Sequence, residues 1–418
     1  MKVLVCDDLE ARAVEVAESI LDGQPDAEVT TLTGDKLTAE LTLLFERVER
    51  CLKKPAEYVP EENTALDTAE LVVFDNNLAH LSIKGARLTA ESVVGYVRAF
   101  TNARFIVSIN KNPDVDFDLR YLVGDYETRA DLALNTNHLE NASLWSGRRQ
   151  DARTGFRPWY WPSLDHAPRR REEQVADVCD RLAENVLAAL HIPTDESVLS
   201  FLSLHGRGAL SPDIAVEAIT FADVFRGKAR SLPDREERES LASAQDNEHV
   251  KQLIARVVAA DIDLWFRRDL VGPQELLVDL PHLLLRMPFL LGTHATNADG
   301  WNAALDETHA PFGMERAIYE EHVASSLYRS DCWLHNGPVF FWPELKNRES
   351  LNNLFLSVGA PEWPDLVFCE DTSRFCERGV SGEDLATEFM AEFEGAWARR
   401  YVENLADVGY APRGRLAR

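Results

Sequence analysis

Apolar runs that stop at acids set the pattern of the first third of the chain. Lys2-Val-Leu-Val-Cys-Asp-Asp8, Glu70-Leu-Val-Val-Phe-Asp-Asn-Asn77 and Arg104-Phe-Ile-Val-Ser-Ile109 each hold a short apolar stretch. Such stretches read as strands buried on both faces of a parallel sheet. Between them the period becomes helical. Leu9 to Leu21 lines up Ala13, Val16, Ala17, Ile20 and Leu21, and Lys36 to Leu52 lines up Leu37, Leu41, Leu44, Phe45 and Val48. Ala27 to Leu32 reads as a second strand near an edge, because of its threonines. Lys53 to Thr68, with two prolines and many acids, reads as a surface loop. Leu88 to Phe100 is expected to be a helix, Asn110 to Arg120 irregular, and Ala130 to Asn135 the last strand. This alternation predicts an α/β domain over residues 1–150, a doubly wound parallel sheet.

Beyond it the pattern is mainly helical. Phe156-Arg-Pro-Trp-Tyr-Trp-Pro162 sets three aromatics between prolines. Residues 151–192 are therefore read as a linker and connecting helix (171–190), with Trp159, Tyr160 and Trp161 packed between domains. Residues 193–418 are read as a mainly helical domain of unassigned activity. Ser211-Pro-Asp213 has the cap chemistry to start a helix to about Phe225. His249 to Phe266 is a long periodic helix, and Ser381 opens another to about Leu405. The late strands expected are 338–342 and 365–369.

Charge narrows the function classes. The 418 residues carry a formal net charge of -26, which argues against nucleic acid as a direct partner. No apolar run approaches the roughly 18–20 residues that a membrane span needs. The opening stretch is too short for a signal peptide, and six scattered cysteines form no disulfide framework, so the expected location is the cytoplasm.

The chemistry concentrates where the apolar runs end. In an open α/β sheet, ligands collect at the carboxyl edge of the strands. Asp7, Asp8, Asp75 and Ser108 would meet there. Adjacent carboxylates repel and call for a cation, and Mg²⁺ takes one or two carboxylates plus phosphate oxygens. Residues 1–145 resemble a response-regulator receiver domain, the flavodoxin-like module of two-component signalling. The resemblance rests on Val3-Leu-Val-Cys-Asp-Asp8, Val72-Val-Phe-Asp75 and Ile106-Val-Ser108. It implies that Asp7 and Asp8 hold Mg²⁺ together with Asp75, that Asp75 accepts a phosphoryl group from a histidine kinase or phosphotransfer protein, and that Ser108 is the switch hydroxyl. A homodimer is an admissible assembly. The chain departs from the family after the fifth strand, where Leu132-Ala-Leu-Asn-Thr-Asn137 has no lysine; Lys111 is the nearest substitute by sequence. Atypical receivers also occur in phosphorelay-based phage defence of the Detocs kind, where one component absorbs phosphoryl groups. This analogy implies a regulator or buffer of a bacterial phosphorelay.

The second half offers an alternative: a receiver-gated effector enzyme of hydrolase type, using Asp279/His282 or Glu370/Asp371/Arg374. Cys332, His335, Cys369 and Cys376 have the ligand types of a zinc site, but the second pair is spaced too widely, and buried structural cysteine is the default reading.

Overall fold

The computed structural model describes residues 1–83, 86–109, 117–118, 128–146, 157–159, 161–205, 214–228, 235–294, 297–306, 312–330, 332–334, 337–358, 363–378, 389–390, 399–403 and 408–409. The chain divides into two compact units. The first comprises Met1–Pro113, Glu127–Gly147 and Pro162–Trp265; the second comprises Asp114–Tyr126, Arg148–Trp161 and Phe266–Arg418.

The first unit is built on a five-stranded, all-parallel sheet. In chain order its first elements are β1 (Lys2–Asp7), α1 (Glu10–Gly23), β2 (Glu28–Thr33), α2 (Gly34–Lys53) and β3 (Leu71–Asp75). The small antiparallel pair β4 (Ser82–Ile83) and β5 (Ala86–Arg87) precedes α3 (Ala90–Phe100) and β6 (Phe105–Ile109). After β7 (Phe117–Asp118), in the second unit, β8 (Leu132–Leu134) completes the sheet in the order β2-β1-β3-β6-β8. This is a flavodoxin-like α/β arrangement. β3 is buried along its whole length, as its unbroken apolar run requires, whereas threonine-rich β2 lies at an edge.

Chain direction places the helices. The β1-to-β2 crossover moves one way across the sheet, while those from β2 to β3 and from β3 to β6 move the other. Right-handed crossovers therefore set α1 on one face and α2 and α3 on the opposite face. Phe45 of α2 and Tyr96 of α3 meet edge-on, ring centroids 5.5 Å apart. Thr89 caps α3, accepting from the Ser92 amide, so the helix begins at Ala90.

The helix expected over 171–190 is shorter and begins earlier. α4 (Ala167–Asp180) starts on Pro168 in its first turn and ends at Arg181, whose backbone is no longer helical. A separate turn, Val186–Ala189, is capped by the Asn185 side chain. The stretch 211–213 lies outside the described residues, and helix is described from Phe221 to Lys228. α5 (Glu248–Trp265) packs on α4 and α3.

α1 fits closely at its last residue. A Cβ on Gly23 would overlap the Leu139 carbonyl oxygen and lie 2.6 Å from Trp145 Nε1, which itself donates to Leu139 at 2.8 Å. Gly23→Ala is expected to cost roughly 1–3 kcal/mol by overpacking, read as a lower urea midpoint with unchanged m.

His138 lies in the 3₁₀ turn Thr136–Glu140 and is 5% exposed. Its Nδ1 accepts from the Asn135 amide at 3.0 Å, and burial pushes its pKa down to about 4. An unfolded imidazole titrates near 6.5. As pH falls from there towards 4, the unfolded chain takes up a proton that the native chain refuses, so stability is lost across that window, by roughly 3 kcal/mol in all. His138→Gln is expected to flatten that part of the stability–pH curve, measured by urea unfolding at pH 7 and 4.5. An equally steep curve in the variant would assign the acid sensitivity to other groups.

In the second unit, β9 (Leu277–Asp279), β10 (Leu327–Tyr328) and β11 (Val339–Phe341) form an antiparallel sheet in the order β10-β11-β9. β12 (Leu366–Cys369) and β13 (Arg374–Glu377) form an antiparallel hairpin. The unit is otherwise mainly helical. Its core includes Leu283, Trp301, Phe340 and Phe368. The apolar stretch from Gln274 to Leu291 supplies β9 and then α6 (Leu280–Arg286), separated by the cap at Asp279. The helix expected over 381–405 is corrected where residues are described. β14 (Phe389–Met390) pairs antiparallel with β15 (Arg399–Arg400), and β16 (Val408–Gly409) pairs parallel with β7. Among the described residues no helix is long and apolar enough to cross a membrane.

Candidate functional site

The carboxyl edge of the five-stranded sheet gathers three aspartates. β1 ends on Asp7 and β3 ends on Asp75. Their register pairs Cys6 with Phe74, so the next step of the ladder sets Asp7 beside Asp75. Asp8 follows at once. One carboxylate oxygen from each of the three lies within 4.8 Å of the others, and the residues are 1%, 8% and 6% exposed respectively.

The backbone fixes two of these carboxylates. Asp7 Oδ1 accepts from the Leu9 amide at 2.8 Å, and Asp8 Oδ2 accepts from the His80 amide at 2.9 Å. Asp8 Oδ1 is buried with no hydrogen-bond partner among the described residues. Asn76 bridges the neighbouring elements, donating to Ile109 O at 2.8 Å and accepting from Ala90 N at 3.2 Å. The Cys6 thiol beneath is pushed up in pKa by burial, then by Glu40 and Asp7, so it stays protonated.

Three clustered carboxylates make a strongly negative site, and Arg12 brings a cation to it. Its Nη1 lies 3.7 Å from Asp75 Oδ2, on a side chain 43% exposed. Reading for strand ends missed Arg12. The signal for it is helical: four residues after Asp8, in the first turn of α1, it faces back over the edge. The donor set is all oxygen, two carboxylates are already oriented, and one buried oxygen is left over. That fits a hard divalent cation, so the cluster can bind a metal ion.

Ser108 is buried but is not brought to this cluster. It pairs with Phe74, while Ile109 pairs with Asp75. By strand alternation Ser108 shares its face with Phe74 and Cys6, and Asp75 shares its own with Asp7 and Ile109. Lys111 lies outside the described residues. At the end of β8, Asn135 serves the 3₁₀ turn and presents no cation.

In the second unit, residues from both sequence-derived candidate sets meet. His282 Nδ1 lies 2.6 Å from Asp279 Oδ1, and His282 Nε2 lies 3.6 Å from Glu370 Oε1. Asp279 Oδ2 accepts from Gln274 Nε2 at 2.7 Å and from Trp159 Nε1 at 2.9 Å. The Trp159 amide donates to Glu370 O, and its ring meets Phe368 edge-on. Trp161 is buried, Trp159 is half-buried, and Tyr160 lies outside the described residues. Asp279, His282 and Glu370 are 1%, 5% and 1% exposed, so substrate has no access to them in this conformation. Asp371 accepts from the Glu403 amide at 2.8 Å, and Arg374 Nε lies 3.8 Å from Glu403. The turn between β12 and β13 holds Ser373 at φ 50, a strained conformation for a side-chain-bearing residue.

His335 lies outside the described residues. Cys369 and Cys376 are hydrogen-bonded neighbours, a contact that, with burial, pushes the Cys369 thiol up. Among the described residues the aspartate cluster is the one group of three or more metal-type ligands.

No protein-family model matches the chain, and neither curated proteins nor solved structures give a match to it.

Proposed function

We propose that the first unit is an atypical receiver that accepts a phosphoryl group on Asp75, and that the chain regulates or buffers a bacterial phosphorelay. The observation that carries this reading is the convergence of Asp7, Asp8 and Asp75 at the carboxyl edge of the sheet. Asp7 and Asp8 would hold Mg²⁺, with Asp75 as a third ligand. Bound there, the cation supplies neutralisation of the transferring phosphoryl oxygens. An Asp75 carboxylate oxygen attacks phosphorus in line; the new O–P bond forms as the donor's N–P or acyl O–P bond breaks, and the electron pair leaves with the donor. Arg12, reaching from α1, offers guanidinium donors to the oxygens of the transferred group. It stands in a position that the β8 end, with no lysine, does not serve. The donor would be a histidine kinase or a phosphotransfer protein. Ser108 has no part in this step, because its side chain is on the other face of the sheet.

Intact-mass spectrometry after incubation with Mg²⁺ and acetyl phosphate tests the reading. The expected result is one added phosphoryl group, lost when EDTA replaces Mg²⁺. A chain that gains no phosphoryl mass from acetyl phosphate or from a histidine kinase would retain the fold without the chemistry.

One observation supports the alternative of an effector enzyme in the second unit: Asp279, His282 and Glu370 converge. Their burial favours a structural role. His282→Gln separates the two, since a structural role predicts lower stability and a catalytic one predicts a fold of unchanged stability.

A further inference from the structure

The opposite, amino-terminal edge of the same sheet borders a cleft of about 450 Å³. Glu70 and Arg104, which lead into β3 and β6, contribute to its wall, with Arg98 of α3, Arg171 and Glu172 of α4, and Arg256 of α5. The four arginines face three acids in the lining, Asp67, Glu70 and Glu172, so what distinguishes the cleft is how its guanidinium donors are used.

These arginines are not equally satisfied. Arg98 Nη2 lies 2.7 Å from Asp131, and Arg171 Nη2 lies 3.3 Å from Asp131 and 3.2 Å from Asp263. The rest of the Arg171 guanidinium is different. Its Nε and Nη1 are buried with no protein acceptor among the described residues, on a side chain 4% exposed. A buried donor left without an acceptor costs roughly 1–3 kcal/mol, so this edge gains from any oxyanion that can reach it. Arg256 donates to Ala99 O at 3.0 Å, Thr101 O at 2.8 Å and Asn102 Oδ1 at 3.4 Å. All three acceptors are neutral, and no carboxylate lies within ion-pair distance of Arg256 among the described residues. Burial disfavours the Arg256 charge and pushes its pKa down, against smaller opposing effects of Tyr58, Asp67 and Glu62. Asp67 is already engaged by Arg47 through both oxygens, at 2.8 Å each. At the mouth, Arg104 lies 3.4 Å from Glu70 and 3.2 Å from Glu172, all three partly solvent-exposed. Such exposed pairs are weak and open readily.

We propose that this cleft binds a small oxyanion of the phosphate class, gripped by Arg256, Arg171 and Arg104, as a second site distinct from the aspartate edge. Guanidinium groups suit such oxygens because their donors form paired, charge-assisted bonds. The inference does not depend on any chemistry at Asp75.

The test is calorimetric titration of the full chain with sodium phosphate, matched against chloride at constant ionic strength. Saturable binding is expected in phosphate alone. Arg104→Gln, at the exposed mouth, and Arg256→Gln are each expected to weaken it about tenfold. Glu172→Gln, which removes a competing carboxylate, is expected to tighten it, and Asp75→Asn to leave it unchanged. Because Arg256 also caps α3, Arg104→Gln decides the matter should Arg256→Gln fail to fold. Phosphate heats no different from chloride, unchanged affinity in a folded Arg104→Gln, or binding lost in Asp75→Asn would each overturn the proposal.

Discussion

Asp75→Asn is expected to abolish phosphoryl uptake, and Asp8→Ala to abolish its Mg²⁺ dependence. The amide of asparagine is nearly the shape of the carboxylate but does not attack phosphorus as a carboxylate does. Loss of Asp8 removes a carboxylate whose second oxygen is already pinned by the His80 amide and whose first is buried and unshared. Without it the cation loses one of few charged ligands, and the transferring oxygens lose their neutralisation. Intact mass after acetyl phosphate, with and without Mg²⁺, reads both effects. The stability effect runs the other way. Asp8→Ala removes one of three carboxylates crowded within 4.8 Å, so the metal-free protein is expected to be more stable by roughly 1 kcal/mol. A variant with undiminished uptake would remove Asp75 from the chemistry. A clear fall in melting temperature for Asp75→Asn, with no uptake by wild type, would make the cluster a purely structural one.

The largest loss of stability is expected at Asp263. This residue is 0% exposed and accepts from Gln174 Nε2 at 2.9 Å and from Arg171 Nη2 at 3.2 Å. Arg171 and Arg98 also share Asp131, whose other oxygen accepts from the Ile106 amide at 2.8 Å. Two arginines and two aspartates thus balance inside the first unit, between β6, β8, α3, α4 and α5. Asp263→Ala leaves a guanidinium charge short of its partner in the interior, which costs roughly 3–5 kcal/mol. A drop in melting temperature of roughly 10 °C should accompany it. Glu239→Ala is the control. It breaks the Arg235–Glu239 pair, whose side chains are 81% and 56% exposed, and is expected to change stability by about 0–1 kcal/mol. Equal effects for the two variants would mean that the buried network is compensated elsewhere.

Strand identity in the first unit was legible because fully buried parallel strands must be apolar throughout. Val3 to Cys6, Leu71 to Phe74 and Phe105 to Val107 follow that rule, and all are buried. Acids ending two such strands at one sheet edge could be read the same way, since parallel strands deliver their carboxyl ends together. Ser108 shows the limit of that reading. Its distance along the chain from a strand end says nothing about register, and a one-step offset moves a side chain to the opposite face. Arg12 was hidden for the complementary reason: its relation to Asp75 passes through space from a different element.

The sequence by itself determined the α/β alternation, the parallel sheet and the acid-rich carboxyl edge, because these depend on local period and on which residues bear burial. Only the tertiary structure decided which long-range partners meet. It set α4 and α5 in the same unit as the sheet, with Asp263 against Arg171. In the second unit it brought His282 between Asp279 and Glu370, across 88 residues of chain in the latter case. It also replaced helix by paired strands at Phe389–Met390 and Arg399–Arg400. A helical period records only that a face is apolar. What that face packs against, and which buried charges neutralise one another, is settled by contacts between residues far apart in sequence, and those leave no local pattern to read.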